Sequence, residues 1–129
     1  MRYLIDTDIL IDHLRGETKA RDFLKDAKIQ GGELCYSVIA KAELYAGLRR
    51  SEEGSLSALL AGMDEVVIDG DVAVMAGRYK SMFQRSSGIL LPDALVAASA
   101  KQTDAVLVTL NGKHYPMKDI EVMVPYTKV

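Results

Sequence analysis

The sequence predicts an α/β fold in which a central parallel sheet of four to five strands lies between helices, giving three layers. Short apolar runs bounded by polar or glycine-rich stretches recur along the chain and are typical of buried strands. Helical patterns separate these runs, and this alternation favours parallel pairing through right-handed crossovers. The chain has 129 residues, of which 49% are hydrophobic and 26% charged. This composition indicates one folded domain, residues 1–129, and excludes a disordered protein.

The chain begins with a strand that stops at an acid. The strand covers residues 3–5 and ends at Asp6, and either Thr7 or Asp8 can cap the helix that follows. A glycine ends this first helix. A second helix over residues 17–28 carries apolar side chains at helical spacing and stops before two glycines.

The next segments repeat the strand–helix pattern. A strand over residues 33–37 ends at Ser37, which is well placed to cap a helix over residues 38–48. Residues 51–54 indicate a linker, and apolar residues between 56 and 63 indicate another short helix.

The second half supplies the remaining elements. A strand over residues 65–68 precedes a long helix with an apolar stripe over residues 71–85. An alanine-rich helix over residues 94–100 has a proline placed for its first turn, and a fourth strand covers residues 105–108. The alternating tail 120–124 predicts a fifth strand.

Three acids occupy positions that packing alone does not explain well. Asp6 stands at the end of a strand, Glu43 lies in a helix between small residues, and Asp93 starts the alanine-rich helix. Ligands of parallel sheets bind outside the carboxyl ends of the strands, where these acids can converge. Gathered carboxylates repel one another unless protonated or bridged by a cation, and clustered oxygens are what Mg²⁺ or Mn²⁺ selects. Taken singly, each acid also fits an ordinary turn, surface or helix-terminal role.

Four segments, in order along the chain, carry a family resemblance. They are Asp6-Thr7-Asp8, the helix with Ala40, Glu43 and Gly47, the run Leu91-Pro92-Asp93-Ala94 followed by Ala97-Ala98, and Leu107-Val108-Thr109-Leu110-Asn111. Together they resemble the successive motifs of PIN-domain ribonucleases, and most of all the VapC-type toxins of bacterial and archaeal toxin–antitoxin pairs. The resemblance covers essentially the whole chain.

The resemblance implies a metal-dependent endoribonuclease with a three-layer PIN-like fold. It assigns the metal and the catalysis to Asp6, Glu43 and Asp93, and the orientation of ligands or water to Thr7, Asp8, Thr109 and Asn111. It also implies Mg²⁺ or Mn²⁺ as cofactor, RNA as substrate, a homodimer, and an antitoxin protein that blocks the site. Many relatives carry a further acid near the position of Asn111, and its replacement here argues against a second, tightly held metal.

The charge of the chain constrains how RNA would be held. With 16 basic and 18 acidic residues the net charge is −2, which does not suggest binding through bulk charge. A local basic patch is required instead, and the candidates are Arg50, Lys41, Arg49, Lys113 and His114. Arg50 is favoured because it lies two turns after Glu43 on nearly the same face of the predicted helix. Solvated surface charge is the alternative for each of them.

A second surface is predicted for the antitoxin. The apolar residues Tyr45, Leu48, Leu56, Leu59 and Leu60 could form a docking groove, with core packing as the alternative. The single cysteine, Cys35, lies in a predicted strand and is expected in the core. Neither a signal peptide nor a run of 18 apolar residues is found, which predicts a soluble cytoplasmic protein without membrane association.

Two other functions fit parts of the sequence. An apolar strand followed by Asp6-Thr7-Asp8 also resembles the nucleophile motif of haloacid-dehalogenase-type phosphotransferases, although no later pair of aspartates follows. A PIN-like scaffold that binds RNA or protein without cutting is the other alternative, because Asn111 replaces an acid.

Overall fold

Five strands form the centre of the molecule, which the computed structural model describes from residue 1 to residue 128. The strands are β1 (Arg2–Ile5), β2 (Glu33–Ser37), β3 (Asp64–Val66), β4 (Val106–Val108) and β5 (Val122–Met123). The helices are α1 (Thr7–Leu14), α2 (Thr18–Ile29), α3 (Val38–Ala46), α4 (Glu53–Ala61), α5 (Gly70–Ser87) and α6 (Leu91–Thr103). Short 3₁₀ turns cover Arg50–Glu52 and Gly112–His114.

All neighbouring strands pair in parallel, in the order β3-β2-β1-β4-β5. The chain therefore builds one half of the sheet outward from β1 and then returns to add β4 and β5 on the other side. This change of direction opens a crevice between the carboxyl ends of β1 and β4, which is where ligands of such sheets bind. The predicted parallel sheet is confirmed, with five strands.

Side chains alternate between the two faces of the sheet, as the pleat of a strand requires. Leu4 is paired with Cys35 on one side and with Leu107 on the other, and all three belong to one buried cluster. Ile5 and Val108 are paired one residue later and belong to the second cluster. Cys35 is 2% exposed, and burial raises the pKa of its thiol to about 11. It is a core residue.

Helices cover both faces of the sheet. Buried residues of α5 and α6 pack in the cluster around Leu4, whereas those of α1, α2 and α4 pack in the cluster around Ile5. Four alanines of α6 are almost completely buried, which lets α5 and α6 approach closely: Ala94, Ala97, Ala98 and Ala100. Helix α3 contacts both α1 and α6 and so reaches both sides of the crevice.

Several predicted boundaries are wrong for local physical reasons. Asp6, rather than Thr7 or Asp8, is the N-cap of α1, because its extended backbone ends β1 directly. Helix α3 ends at Ala46 instead of residue 48, since Gly47 serves as its C-cap and glycine is a poor helix former. The predicted linker 51–54 is instead the end of a 3₁₀ turn and the start of α4.

The two edge strands are shorter than predicted. β3 covers three residues and β5 two, because each pairs with only one neighbour and apolar residues beyond the pairing remain irregular. Ser37 caps α3 as predicted, accepting a hydrogen bond from the backbone N of Ile39 at 3.1 Å. Across residues 1–128, no helix combines the length and the apolar character needed to cross a bilayer.

Candidate active site

Asp6 sits at the crevice because β1 ends there and α1 begins. Its backbone N–H donates to the carbonyl oxygen of Val108 at 2.9 Å, which extends the pairing of β1 and β4 by one residue. Its side-chain Oδ1 accepts from the backbone N of Thr7 at 2.8 Å. The carboxylate is therefore held at the helix N-terminus, where negative charge is favoured.

Asp93 is brought to the same place by α6. It is the third residue of that helix, after Pro92, and its side chain is 29% exposed. Lys80 fixes the approach to α6, because its Nζ donates to the carbonyl oxygen of Ile89 at 2.6 Å. His114 lies on the solvent side, with Nδ1 3.9 Å from Asp93 Oδ2.

Tyr115 connects these two acids. Its hydroxyl donates to Asp6 Oδ2 at 3.0 Å and lies 3.4 Å from Asp93 Oδ1. The side chain is buried, and burial together with the neighbouring carboxylates strongly raises the pKa of its hydroxyl. Tyr115 thus stays protonated and can act only as a donor to the acids.

Asp8 forms a separate cluster at the end of β4. Its Oδ1 accepts from the backbone N of Ile9 at 2.8 Å. Its Oδ2 receives the hydroxyl of Thr109 at 3.3 Å, the backbone N of Leu110 at 2.9 Å and the side-chain amide of Asn111 at 3.0 Å. The sequence analysis predicted that Asp8, Thr109 and Asn111 share one site, and in the structure Asp8 is bonded to both of the others.

Glu43 reaches the crevice from α3. Its side chain is exposed, and Oε1 accepts the hydroxyl of Thr7 at 2.8 Å. Ala40, one turn earlier, is fully buried, so the helix lies close to its neighbours on that side. Glu43 therefore contacts α1 through Thr7, the residue that follows Asp6.

The charge of Asp6 acts on the carboxyl groups of both Asp93 and Asp8. Burial, and after it the charge of Asp6, raise the pKa of the Asp93 carboxyl above its ordinary value, although the hydroxyl of Tyr115 acts in the opposite direction. Burial and the charge of Asp6 likewise raise the pKa of Asp8, against hydrogen bonds that include that of Thr109. Negative charge is thus concentrated in the crevice at a cost that a cation would relieve.

The donor set suits a hard divalent cation, because it consists of carboxylate oxygens. Within residues 1–128, however, no three acids, histidines or cysteines converge closely enough to enclose a cation in their present rotamers. Asp6 and Asp93 are already joined through Tyr115, whereas Glu43 points to Thr7. Glu43 is an exposed side chain with several free torsions.

The predicted RNA contacts are only partly brought to the crevice. Arg50 does not share a helix face with Glu43, because α3 ends before it and Arg50 begins a 3₁₀ turn; that prediction is wrong. Lys41 is bonded to Glu65 on β3 at 2.8 Å, away from β4. His114 lies beside Asp93, and Lys113 precedes it in the same 3₁₀ turn. Arg15, which was not among the candidates, lines a cavity together with Glu43.

Arg49 and the predicted docking groove lie beyond the end of α3. Arg49 is exposed and starts the 3₁₀ turn, where its backbone N donates to Glu52 Oε1 at 2.9 Å. Leu56 and Leu60 are core residues, 0% and 6% exposed, so they do not line a groove. Tyr45 is 41% exposed. Leu48 and Leu59 are partly buried, and Leu48 lines a cavity of about 200 Å³ beside Glu43.

The sequence prediction missed Tyr115. Its role comes from a contact with Asp6 across 109 positions of the chain, and no local pattern encodes such a contact. The available signal was its place in the run Lys113-His114-Tyr115, close behind the polar end of β4.

Comparisons with known proteins identify the family of the chain. Residues 3–119 match the family model of the PIN domain. The chain is similar to ribonuclease VapC19 of Mycobacterium tuberculosis, with 39% identity over 115 residues that cover 88% of this chain and 92% of the relative. It is 41% identical to ribonuclease VapC10 of the same organism, over 88% of this chain and 86% of the relative.

Solved structures share the fold. A toxin–antitoxin complex from Klebsiella pneumoniae contains a chain that aligns with a TM-score of 0.80 and 24% identity, covering 96% of this chain and 98% of that one. VapBC2 from Rickettsia felis, bound to a DNA fragment from its promoter, aligns with a TM-score of 0.82 and 19% identity, covering 95% and 98%. At these identities the likeness establishes the fold alone.

Proposed function

The chain belongs to the PIN-domain family and, within it, to the VapC ribonucleases, and from this premise we propose that it is a metal-dependent endoribonuclease. Its RNA-cleaving activity would make it the toxin of a type II toxin–antitoxin pair. The observation that supports the proposal is the pairing of Asp6 and Asp93 through the hydroxyl of Tyr115 at the crevice between β1 and β4, with Glu43 bonded to Thr7, the residue after Asp6. Relatives that match most of this chain are named as ribonucleases.

Asp6, Glu43 and Asp93 are proposed to hold Mg²⁺ or Mn²⁺. The cation, when bound, supplies Lewis-acid activation of water and neutralises charge at the phosphate. Burial and, after it, the nearby charge of Asp6 raise the pKa of the Asp93 carboxyl, so a bound cation would offset a cost of holding both carboxylates ionised. Glu43 joins the set by leaving the hydroxyl of Thr7.

The remaining residues of the site position the acids and the substrate. Asp8 ties α1 to the end of β4 through Thr109 and Asn111, so the two sides of the crevice keep a fixed separation. His114 is proposed to contact the substrate phosphate, because it lies at the exposed edge of Asp93. Lys113, its neighbour, adds positive charge on the same turn.

An antitoxin protein is proposed to bind beside the active site. One solved structure with this fold is described as a toxin–antitoxin complex, and another as a member of the VapBC family of toxin–antitoxin systems. The cavity between α1 and α3 has an apolar floor that includes Ile11, Leu14 and Leu48, and Glu43 lies at its edge. A segment seated there would cover Glu43 and block access to the acids.

A homodimer is proposed as well. The chain exposes apolar side chains on α5 and at the start of α6, each half or more exposed: Val74, Met82, Leu90 and Leu91. Burying such side chains against a second copy would remove apolar surface from water. Light scattering on the purified protein tests this, and a monomer at all concentrations would contradict it.

The direct test of the activity is cleavage of total cellular RNA by purified protein with Mn²⁺ or with EDTA. We expect cleavage that depends on Mn²⁺ and is lost in Asp6→Asn. The matched control is Asp22→Asn, which removes an exposed carboxylate that pairs with Arg21 far from the crevice. Cleavage by Asp6→Asn at the rate of the unmodified protein would contradict the proposal.

Of the two alternative functions, one is excluded and the other is an outcome of the cleavage assay. The phosphotransferase hypothesis is wrong, because the matching family is that of the PIN domain, and Asp8 is fully engaged by Thr109, Leu110 and Asn111. A non-cutting scaffold is the outcome that the cleavage assay would reveal if neither Mn²⁺ nor Mg²⁺ produced any RNA fragments.

A further inference from the structure

A single buried hydroxyl serves two acids of the site. Tyr115 is 5% exposed, and its hydroxyl is 3.0 Å from Asp6 Oδ2 and 3.4 Å from Asp93 Oδ1. A phenol has one proton to donate, so one carboxylate receives it and the other stands close to the same oxygen. The position of this one oxygen therefore sets how near the two carboxylates can lie.

Tyr115 is itself held firmly. Its ring lies in the buried cluster with Ala94 and Met117, and its backbone N donates to the carbonyl oxygen of Gly112 at 3.1 Å. Gly112 packs against the tail, because a Cβ at this position would come within 3.0 Å of Val124 Cγ2. The 3₁₀ turn that carries Tyr115 is thus fixed from both sides.

The hydroxyl leaves room for a ligand on each acid. A carboxylate oxygen has two lone pairs, and Tyr115 uses one on Asp6 Oδ2 while Thr7 N uses one on Oδ1. The remaining lone pairs of Asp6 and Asp93 are free to coordinate a cation. A hydrogen bond to the outer side of such a carboxylate orients it without competing for the metal.

We propose that Tyr115 is a positioning residue that presets the carboxylates of Asp6 and Asp93 for one divalent cation. The inference rests on the proposed function, because it takes these two acids as cation ligands. Glu43 is not part of this preset pair, because its carboxylate is bonded to Thr7. Two of the three acids are in place before the cation binds, and the third is recruited.

The test compares Tyr115→Phe with Tyr79→Phe. Tyr79 is the matched control, because it is equally buried at 5% and its hydroxyl also donates to an aspartate, Asp119, at 2.9 Å. Asp119 lines a cavity with Arg2 and Asp104, at the opposite end of the strands from the crevice. Isothermal titration of Mn²⁺ should show binding weakened by about tenfold to a hundredfold in Tyr115→Phe and unchanged in Tyr79→Phe. The turnover number for RNA cleavage should fall in Tyr115→Phe while KM for RNA stays the same.

Unchanged Mn²⁺ affinity in Tyr115→Phe, or an equal loss in Tyr79→Phe, would overturn the inference. A second measurement separates its failure from failure of the proposed function, because it needs no metal. Urea unfolding in EDTA of Tyr115→Phe, Asp6→Ala and the double variant forms a mutant cycle. The two changes should be non-additive if the hydroxyl holds Asp6, and additive effects would overturn the inference even if RNA cleavage were established.

Discussion

The side-chain amide of Asn111 donates to Asp8 Oδ2 at 3.0 Å. This contact shows what an amide contributes at the end of β4. An amide can donate to Asp8, whereas a carboxylate would face it with like charge. Asn111 therefore joins the end of β4 to the start of α1 by donating to Asp8.

Exchange of Asn111 for aspartate tests this role. Asn111→Asp replaces a donor by a second negative charge beside the half-buried Asp8, so we expect a loss of about 1–3 kcal/mol in the free energy of unfolding. The loss should diminish in acid, where carboxyl groups are protonated. Urea unfolding near neutral and at acidic pH measures both effects.

Gln102→Glu is the matched control for that exchange. Gln102 Nε2 also donates to an aspartate, Asp69 Oδ2, at 3.0 Å, but Asp69 is exposed whereas Asp8 is half-buried, and the pair is distant from the crevice. Screening by water should make its effect on unfolding clearly smaller. Equal losses in the two variants would show that the Asn111 contact is only an ordinary surface bond.

Removal of the charge of Asp93 should separate activity from stability. In the metal-free protein Asp93→Asn removes a partly buried charge next to Asp6, so the Tm should rise. RNA cleavage should be lost in the same variant, because a proposed ligand is gone. A lower Tm in EDTA would contradict the account of carboxylate repulsion.

The tail of the chain is tied to α1 through Asp12. This buried carboxylate accepts from the hydroxyl of Tyr126 at 2.8 Å and from Lys128 Nζ at 2.8 Å. Tyr126→Phe should cost about 1.5–3 kcal/mol, the range for a hydrogen bond to a charged group. Chemical unfolding measures the loss, with the exposed Tyr45 changed to Phe as control. A neutral effect of Tyr126→Phe would mean that the tail does not stabilise α1.

Acid should weaken the cap of α5. Hydrogen bonds from the backbone N of Val72 and from Gln102 hold the pKa of Asp69 below its ordinary value. A carboxyl group whose pKa is lower in the folded than in the unfolded state stabilises the fold at any pH above its unfolded-state pKa. This stabilisation is lost as the pH falls through the pKa of the group in the folded state. Asp69→Asn should therefore lower the Tm near neutral pH, and the difference from the unmodified protein should shrink below about pH 4.

Asp71→Asn controls for that comparison, since it removes another acid from the first turn of α5. The Tm should change less in Asp71→Asn than in Asp69→Asn, because it is the side chain of Asp69 that accepts the hydrogen bond from the backbone N of Val72. Thermal unfolding of the three proteins across the acid range decides the matter. A pH-independent difference for Asp69→Asn would show that the charge of the cap contributes nothing.

Much of the architecture was predictable because its signals are local. Buried central strands need continuous apolar runs, and so β2 was predicted with its observed bounds. The predicted lengths of the edge strands were too great, because the length of a strand depends on pairing with a neighbour. The N-cap of α1 was misplaced for a similar reason: the pairing of Asp6 N with Val108 decides where β1 ends.

In the site too, the residues with a local sequence signal were predictable and those that depend on distant contacts were not. Asp6, Glu43 and Asp93 were predictable from acids at strand ends and among small residues, and their roles as ligands remain a prediction. The contacts of Tyr115 were not predictable, since they join residues distant in sequence. Arg50 was misplaced because one glycine, Gly47, ends α3 and removes the helix face on which the argument depended.

The central claim is that acids at the carboxyl ends of the strands bind a divalent cation. Isothermal titration of Mn²⁺ into the unmodified protein and into Asp93→Asn tests it most directly. We predict saturable binding in the unmodified protein that disappears in the variant. Equal binding in both proteins, or no heat of binding in either, would contradict the claim.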